Sequence, residues 1–334
     1  MTADRPGAFV VSLDFELHWG MRDHTEGHGA AAADLVTSRD HVRRLADLFA
    51  ERGVRATWAT VGLLFASSRS EIEPFLPTVR PRYARSELDP YAESFGHDEA
   101  TDPLHYAGSL VRYLAGVAGQ EIASHTFSHY YCLEAGQDEQ ALRADLAAAR
   151  AVAASMGLTL RSMVLPRNQW NPAYGPALRD AGFTSYRGPQ PSWGHHAQRA
   201  ETTSRARRAA RLLDTYGGVV PPPTAAWDGL VDADGLCNIY ASAFLRPFTP
   251  KRRHLEPLRR ARLFAGLRAA AHRGRIFHLW WHPHNFARHP QESFDLLNRV
   301  LDEADRLARH DGLVSLTMAE VAEAAASPAP TGAT

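Results

Sequence analysis

The sequence is poor in cysteine and carries no net charge. Only Cys132 and Cys237 occur among 334 residues, which argues against a disulfide framework and makes a reducing cytoplasm the expected location. Lys plus Arg and Asp plus Glu both total 37, so no net field attracts an anionic polymer. Nucleic acid is therefore not an expected partner.

Long hydrophobic runs are also missing. No stretch of 18 apolar residues occurs, and the first residues lack the basic and apolar regions of an export signal. We therefore expect no transmembrane segment. Hydrophobic residues make up 45% and charged residues 22% of the chain, which is typical of a folded globular protein.

Strand and helix patterns alternate along most of the chain, which favours an α/β fold with a parallel sheet closed or nearly closed into a barrel. One domain is expected over residues 1–325, with a long insertion over about 64–119 and a disordered tail over 326–334. The predicted strands are 9–15, 54–61, 121–124, 158–165, 276–281 and 313–317. The predicted helices are 38–53, 138–156, 172–181, 203–213, 255–272 and 291–309.

Two acids end the first predicted strand. Asp14 and Glu16 are two residues apart, so both side chains project to the same face. A solvated loop or a helix cap would also tolerate them. An apolar strand that ends in two acids nevertheless indicates a compensating positive charge, such as a metal ion.

Histidine pairs with a spacing of four residues occur three times, at His24/His28, His125/His129 and His278/His282. This spacing places two imidazoles on one face of a helical turn, although 17 histidines give about one such pair by chance. His125 and His129 directly follow a strand, where α/β active sites collect. Two imidazoles and one carboxylate leave an open position on a tetrahedral zinc ion, which would activate water at neutral pH.

Other strand ends also carry polar side chains. His282 and His284 follow an apolar strand that Pro283 terminates, so either could protonate a leaving nitrogen or merely cap the strand. Arg167 could hold a carboxylate or form a surface ion pair. The basic stretches 205–212 and 251–262 are interpreted as solvated helix faces, with binding of a substrate phosphate as the alternative.

In this order the motifs resemble those of the polysaccharide deacetylase family, the chitin-deacetylase-like carbohydrate esterases. The resemblance rests on the strand from Val10 to Glu16 and on the segments EIASHTFSH, SMVLPRNQ, HLWWHPHNF and SLTMAEV. It covers most of the chain and implies a distorted (β/α)7-type barrel.

The resemblance also implies roles. Asp14 would be the general base, Glu16, His125 and His129 would bind a divalent metal, most simply Zn²⁺, and His282 would be the general acid. Arg167 would orient the base. Phe15 stands where family members commonly have a second acid, LPRN replaces the usual Arg followed by two prolines, and Asp214 and Asp228 are the candidates for the acid beside the catalytic histidine.

The expected reaction is removal of acetyl from an N-acetylated sugar or glycoconjugate. A backbone N–H at Tyr130 or Tyr131 would stabilise the oxyanion. The predicted substrate-binding residues are Tyr130, Trp193, Trp281 and His284. The alternatives are hydrolysis of a non-sugar amide, an inactive carbohydrate-binding homologue, and a glycosidase that uses Asp14 and Glu16 but leaves the histidine pair unexplained.

Overall fold

The chain forms one sheet flanked by helices. The structure is a computed structural model that describes residues 5–23, 28–188 and 222–327. The predicted helix 203–213, Trp193, Asp214, His24 and most of the predicted tail lie outside the described residues. The strands are β1 Ala8–Phe15, β2 Ala56–Thr60, β3 Gln120–Ser124, β4 Ser162–Val164, β5 Ser185–Arg187, β6 Cys237–Asn238, β7 Ala243–Phe244, β8 Ile276–Trp281 and β9 Val314–Leu316.

Every pair of neighbouring named strands in this sheet is parallel. The order is β6-β5-β4-β3-β2-β1-β8-β7. One edge of β1 pairs with β9 over Ala8 to Val10 and with β2 over Val11 to Phe15, while its other edge pairs with β8. The sheet curls into a half-barrel, so the predicted α/β barrel-like fold is confirmed. The carboxyl ends of the strands meet at one rim, where α/β folds place their active sites.

Eight α-helices are assigned within the described ranges. They are α1 His28–Glu51, α2 Arg69–Ile72, α3 Gly108–Gly116, α4 Glu139–Ser155, α5 Gly175–Asp180, α6 Glu256–His272, α7 Pro290–Asp311 and α8 Met318–Ala326. The predicted start of the first helix at Ser38 is wrong by ten residues, because the Ser38 hydroxyl donates to the Leu35 carbonyl within the helix instead of capping it. Gly53 has a φ of 61°, the left-handed conformation expected where a helix ends.

The predicted excursion between β2 and β3 contains α2, α3 and several 3₁₀ turns, including Glu73–Phe75, Ser86–Leu88 and Pro90–Ala92. The described residues include no helix that is both long and apolar enough to cross a bilayer.

Strand alternation divides β1 into two chemically different faces. Val11, Leu13 and Phe15 belong to the large core cluster, which also includes residues of α1, α4 and α7. Ser12 and Asp14 point to the opposite face, toward the interior of the half-barrel. All eight residues of the strand are buried. The Asp14 carboxylate is therefore held on a strand that cannot shift without disturbing the core.

Candidate metal and catalytic site

The two acids of the first strand lie at the rim of the half-barrel. Asp14 is in β1, and Glu16 lies one residue beyond its end, immediately before a 3₁₀ turn at Leu17–Gly20. Their residues are only 3% and 5% exposed. Two carboxylates in so little water require positive partners, because burial disfavours their charged form.

The histidine pair lies on a loop after β3 rather than on a helical turn, so that part of the prediction is wrong. Thr126 and His129 have φ values of 63° and 57°, in the left-handed region that side chains rarely adopt. The buried Asp145 carboxylate of α4 stabilises the loop by accepting the N–H groups of Phe127 at 2.6 Å and Ser128 at 3.1 Å. The loop is therefore fixed by hydrogen bonds, although its conformation is costly.

Glu16 and the two histidines meet in one buried cluster. The Glu16 Oε2 atom lies 3.3 Å from His125 Nε2 and 3.1 Å from His129 Nε2. Burial alone would raise the pKa of Glu16, but His282, His125 and His129 outweigh it and hold the pKa well below its usual range. Burial lowers the pKa of His129 to about 3, so its imidazole is neutral, as a metal ligand requires.

The cluster fits a tetrahedral cation. His125 Nδ1 is 2.8 Å from the Val164 carbonyl, so Nδ1–H donates and Nε2 keeps its lone pair. That Nε2 is buried and makes no hydrogen bond within the described ranges. Ligands about 2.0–2.1 Å from zinc are about 3.3 Å apart in a tetrahedron, close to the two distances from Glu16 Oε2 to the imidazole nitrogens.

His282 lies on the other side of the carboxylates. It follows β8, and its Nε2 is 3.4 Å from Glu16 Oε1 and 3.8 Å from Asp14 Oδ2. Its backbone N–H donates to the Asn285 side chain at 3.3 Å, in the 3₁₀ turn that Pro283 begins. The His282 imidazole is therefore held beside both acids.

Arg187 is the residue that the sequence interpretation missed. Its guanidinium is fully buried and forms a bidentate ion pair with Asp14, at 2.8 and 2.6 Å. It also donates to Ser12 at 2.9 Å and lies 4.1 Å above the Trp280 ring. Burial would raise the pKa of Asp14, but the charge of Arg187, aided by His125 and His282, lowers it instead. Asp14 is therefore ionised and oriented.

Arg167 is not the partner of Asp14, which corrects the prediction. It is ion-paired with Asp23 and lies 3.8 Å from Glu134. The 3₁₀ turn after β4, where Arg167 has a φ of 56°, turns it toward these acids and over the Tyr131 ring at 4.4 Å. Arg187, from the next strand, occupies the position predicted for it.

The predicted oxyanion donors are both engaged elsewhere. The Tyr130 N–H donates to the Thr126 hydroxyl at 2.7 Å, and the Tyr131 N–H donates to the Tyr83 hydroxyl at 2.9 Å. Tyr130 is fully buried, and its own hydroxyl donates to the Asp138 carbonyl. Neither N–H is free for a substrate, and the Tyr130 side chain is a core residue.

Trp281 is also a core residue, contrary to the prediction. It shares the outer face of β8 with Phe277 and Leu279 and packs edge-on against Phe49 and parallel to Phe286. Its neighbour Trp280 points to the inner face, where its ring lies 5.6 Å from that of His282. Because side chains alternate along the strand, Trp280 and not Trp281 provides the half-buried aromatic surface beside the site.

His284 is the predicted substrate residue that the structure places beside the site. Its ring stacks on His282 at 4.9 Å, and burial lowers its pKa to about 4. It lines a cavity of about 450 Å³ with Met21, Asp34, Phe248 and Arg288 among others. Asp228, one of the two acids considered as a partner of the catalytic histidine, is exposed.

Comparison of the whole chain with solved structures gives several full-length neighbours. One is described as a polysaccharide deacetylase from Mycobacterium smegmatis, with a TM-score of 0.58, 15% identity, and coverage of 100% of this chain and 99% of that one. Another, described as a polysaccharide deacetylase from Pseudomonas aeruginosa PAO1, has a TM-score of 0.55, 14% identity, and coverage of 95% and 89%. The chain has a polysaccharide-deacetylase-like fold.

The same fold also includes a protein named as an allantoinase, with a TM-score of 0.56, 11% identity, and coverage of 95% of this chain and 89% of that one. No family model matches this sequence. No curated protein matches it either. At these identities the polysaccharide-deacetylase-like fold is shown, and the chemistry must be argued from the site itself.

Proposed function

We propose that this protein is a metal-dependent amide hydrolase that removes acetyl from an N-acetylated sugar or glycoconjugate. The observation that carries the proposal is the convergence of five side chains at one strand rim. Glu16 contacts His125 and His129, and His282 lies within 4 Å of both Glu16 and Asp14. A metal-ligand set, a base and an acid are thus available together.

Glu16, His125 and His129 are the residues that would hold the metal. A divalent cation bound there would acidify a water molecule and polarise the amide carbonyl. Phe15, at the position where the family commonly has an acid, is packed in the core. The chain therefore supplies its ligand carboxylate from the residue after Phe15, where the strand has ended and Glu16 turns back toward the histidines.

Asp14 and His282 would each carry out one of the two proton transfers. Asp14 is held ionised by Arg187, so it can accept a proton from the attacking water. The water oxygen bonds to the acetyl carbon, the C–N bond breaks, and His282 gives a proton to the departing nitrogen. The products are acetate and a free amine. The His282 Nε2 atom lies 3.8 Å from Asp14 Oδ2, so both groups border the same reaction space.

The surroundings suit a sugar ring. Trp280 is half-buried beside His282, with Phe244 at 4.6 Å, and aromatic faces stack against the apolar faces of sugars. The cavity lined by His284 falls within the range of about 300–1,000 Å³ that small-molecule sites occupy. Its Asp34 and Arg288 side chains offer polar partners for hydroxyl groups.

A second candidate function is hydrolysis of a non-sugar cyclic amide. It is favoured by the similarity of the whole chain to the protein named as an allantoinase. The two functions share the attack on a carbonyl and differ in the substrate that the Trp280 surface and the cavity accept.

The test is to purify the protein, measure its bound metal, and assay acetate release from N-acetylglucosamine and its oligomers beside ring opening of allantoin. Asp14→Asn should retain metal and lose about 10²–10⁴-fold in turnover. Asp180→Asn, an exposed acid on α5, is the matched control and should keep full activity. Ring opening without acetate release favours the second candidate. A fully active Asp14→Asn variant contradicts both.

A further inference from the structure

A second cluster with the same donor types lies outside the site described above. It consists of His18 and, from the excursion between β2 and β3, Glu93 and His105. The Glu93 Oε1 atom is 2.5 Å from His18 Nε2 and 3.5 Å from His105 Nε2. Two imidazole nitrogens and a carboxylate oxygen are the donors that zinc prefers in proteins.

His105 is oriented as a metal-ligating histidine would be. Its Nδ1 lies 2.8 Å from Asp102 Oδ2, the carboxylate arrangement that fixes the tautomer and aims Nε2 at a metal. Asp102 is itself fixed, because its carboxylate accepts the N–H groups of Gly96 at 2.7 Å and Leu104 at 3.3 Å.

The other ring nitrogen of His105, Nε2, has no role in the hydrogen bonds of the described residues. His105 is 8% exposed, and within the part of the chain that the structure describes, its Nε2 makes no hydrogen bond. Its contact with Glu93 at 3.5 Å lies at the limit of a hydrogen bond. A buried imidazole nitrogen without a hydrogen bond, beside a carboxylate and a second imidazole, is a group that a bound cation would satisfy.

Hydrogen bonds and ring packing already join the segments that carry these side chains. The His18 N–H donates to the Leu104 carbonyl at 3.3 Å, and the Trp19 indole donates to the His105 carbonyl at 3.1 Å. The His105 ring also packs edge-on against Trp19 and stacks on Phe95. Binding of an ion therefore needs little ordering of the chain, which favours affinity.

We propose that His18, Glu93 and His105 form a second zinc site, distinct from that of Glu16, His125 and His129. Bound there, zinc links the excursion to the turn that follows the catalytic strand. The competing arrangement is a protonated His105 held between Glu93 and Asp102, which needs no cation.

The experiment counts metal. Apoprotein is reconstituted with Zn²⁺, desalted, and its zinc measured by mass spectrometry, with folding checked by circular dichroism. The wild type should retain about two zinc ions per chain, and His105→Gln and His129→Gln about one each. Glu93→Gln repeats the test with a smaller change, should His105→Gln not fold. His97→Gln, an exposed histidine of the same excursion, is the matched control and should retain about two.

The outcomes separate the two sites. About one zinc in the wild type, lost in His129→Gln and unchanged in His105→Gln and Glu93→Gln, overturns this inference and leaves the proposed function standing. About one zinc, lost in His105→Gln and unchanged in His129→Gln, supports the second site and contradicts the first. Wild-type protein that retains no zinc contradicts both.

Discussion

The rim of the half-barrel and the excursion between β2 and β3 each bring two histidines and a glutamate together, but with different surroundings. At the rim, Asp14 and His282 lie beside the cluster. At the excursion, the added acid is Asp102, which pairs with the outer nitrogen of His105. Under the two proposals, similar donors would serve different purposes: the rim would offer a base and an acid to a substrate, whereas the excursion would offer only a carboxylate that supports a ligand.

The two regions also differ in how they are built. The rim residues come from strand ends and a strained loop whose conformation Asp145 fixes. The excursion residues come from irregular chain, held by local hydrogen bonds around Asp102. Both regions nevertheless pack against the same hydrophobic core, which includes Phe65, Tyr106 and Leu110 of the excursion.

Replacing Arg187 should have the largest effect and should affect the rim. Arg187→Met leaves the buried Asp14 carboxylate without its partner, which costs about 3–5 kcal/mol of unfolding free energy. The pKa of Asp14 should rise, so the base stays protonated to higher pH and the acidic limb of the kcat/KM profile should move upward. Denaturant unfolding and a pH profile measure the two effects.

Two controls sharpen the Arg187 experiment. Asp14→Asn/Arg187→Met should be more stable than Arg187→Met alone, because no buried charge is left unpaired. Arg161→Met, which removes an exposed ion pair with Glu323, should cost less than about 1 kcal/mol. Equal destabilisation by the two single variants would show that the burial of Arg187 is unimportant.

Replacing His282 tests the division of roles at the rim. His282→Gln should lower kcat by about 10²-fold or more on an N-acetyl sugar, because the departing nitrogen no longer receives a proton. The loss should be much smaller on an acetylated aniline or phenol, whose leaving groups need less protonation. A loss that is independent of the leaving group would contradict the role of general acid.

Replacing Asp102 tests the excursion. Asp102→Asn should weaken zinc binding at His18, Glu93 and His105 by about 10–100-fold, because the carboxylate no longer orients and polarises His105. Zinc at the rim should be unaffected. Competition with a chelator of known affinity measures both sites, and equal weakening at the two would mean that the regions are not independent.

Replacing Asp145 tests how the loop that carries the histidine pair is held. Burial raises the pKa of Asp145 to about 6, outweighing the hydrogen bonds from Ser128 and Phe127 that lower it. The folded state then binds more protons than the unfolded state between pH about 3.8 and 6, so this residue's contribution to stability falls as pH rises through that window. Asp145→Asn should remove up to roughly 3 kcal/mol of the change in unfolding free energy across that window. Denaturant unfolding of apoprotein across that pH range measures the change, and an unchanged slope contradicts it.

Most of the fold and the central residues of the site could be predicted from the sequence. Apolar strands that end in acids or histidines placed Asp14, Glu16 and His282 at one rim, because parallel strands end together. The structure brings Glu16 into contact with His125 and His129, and it places His282 within 4 Å of Glu16 and Asp14. Their catalytic and metal-binding roles stay predictions.

Most of the remaining features of the site could not be predicted, because they depend on contacts between residues that are distant in sequence. Arg187 lies on a strand of three residues, Ser185–Arg187, which is too short to show a period in the sequence. The available signal was Gly182, which closes the preceding helix, because a strand is expected to follow a helix in this fold. The left-handed residues Thr126 and His129 are set by Asp145, which is distant in sequence. Trp281 could have been assigned to the core from its alternation with Leu279.

A single residue, Leu17, separates Glu16 of one cluster from His18 of the other. Its φ of 44° turns the chain sharply between them, and so short a spacer cannot let one side chain reposition while the other stays. An ion at either cluster would therefore restrict the same few backbone torsions. By thermodynamic reciprocity, any effect that an ion at one cluster has on the affinity of the other cluster would be returned by an equal factor.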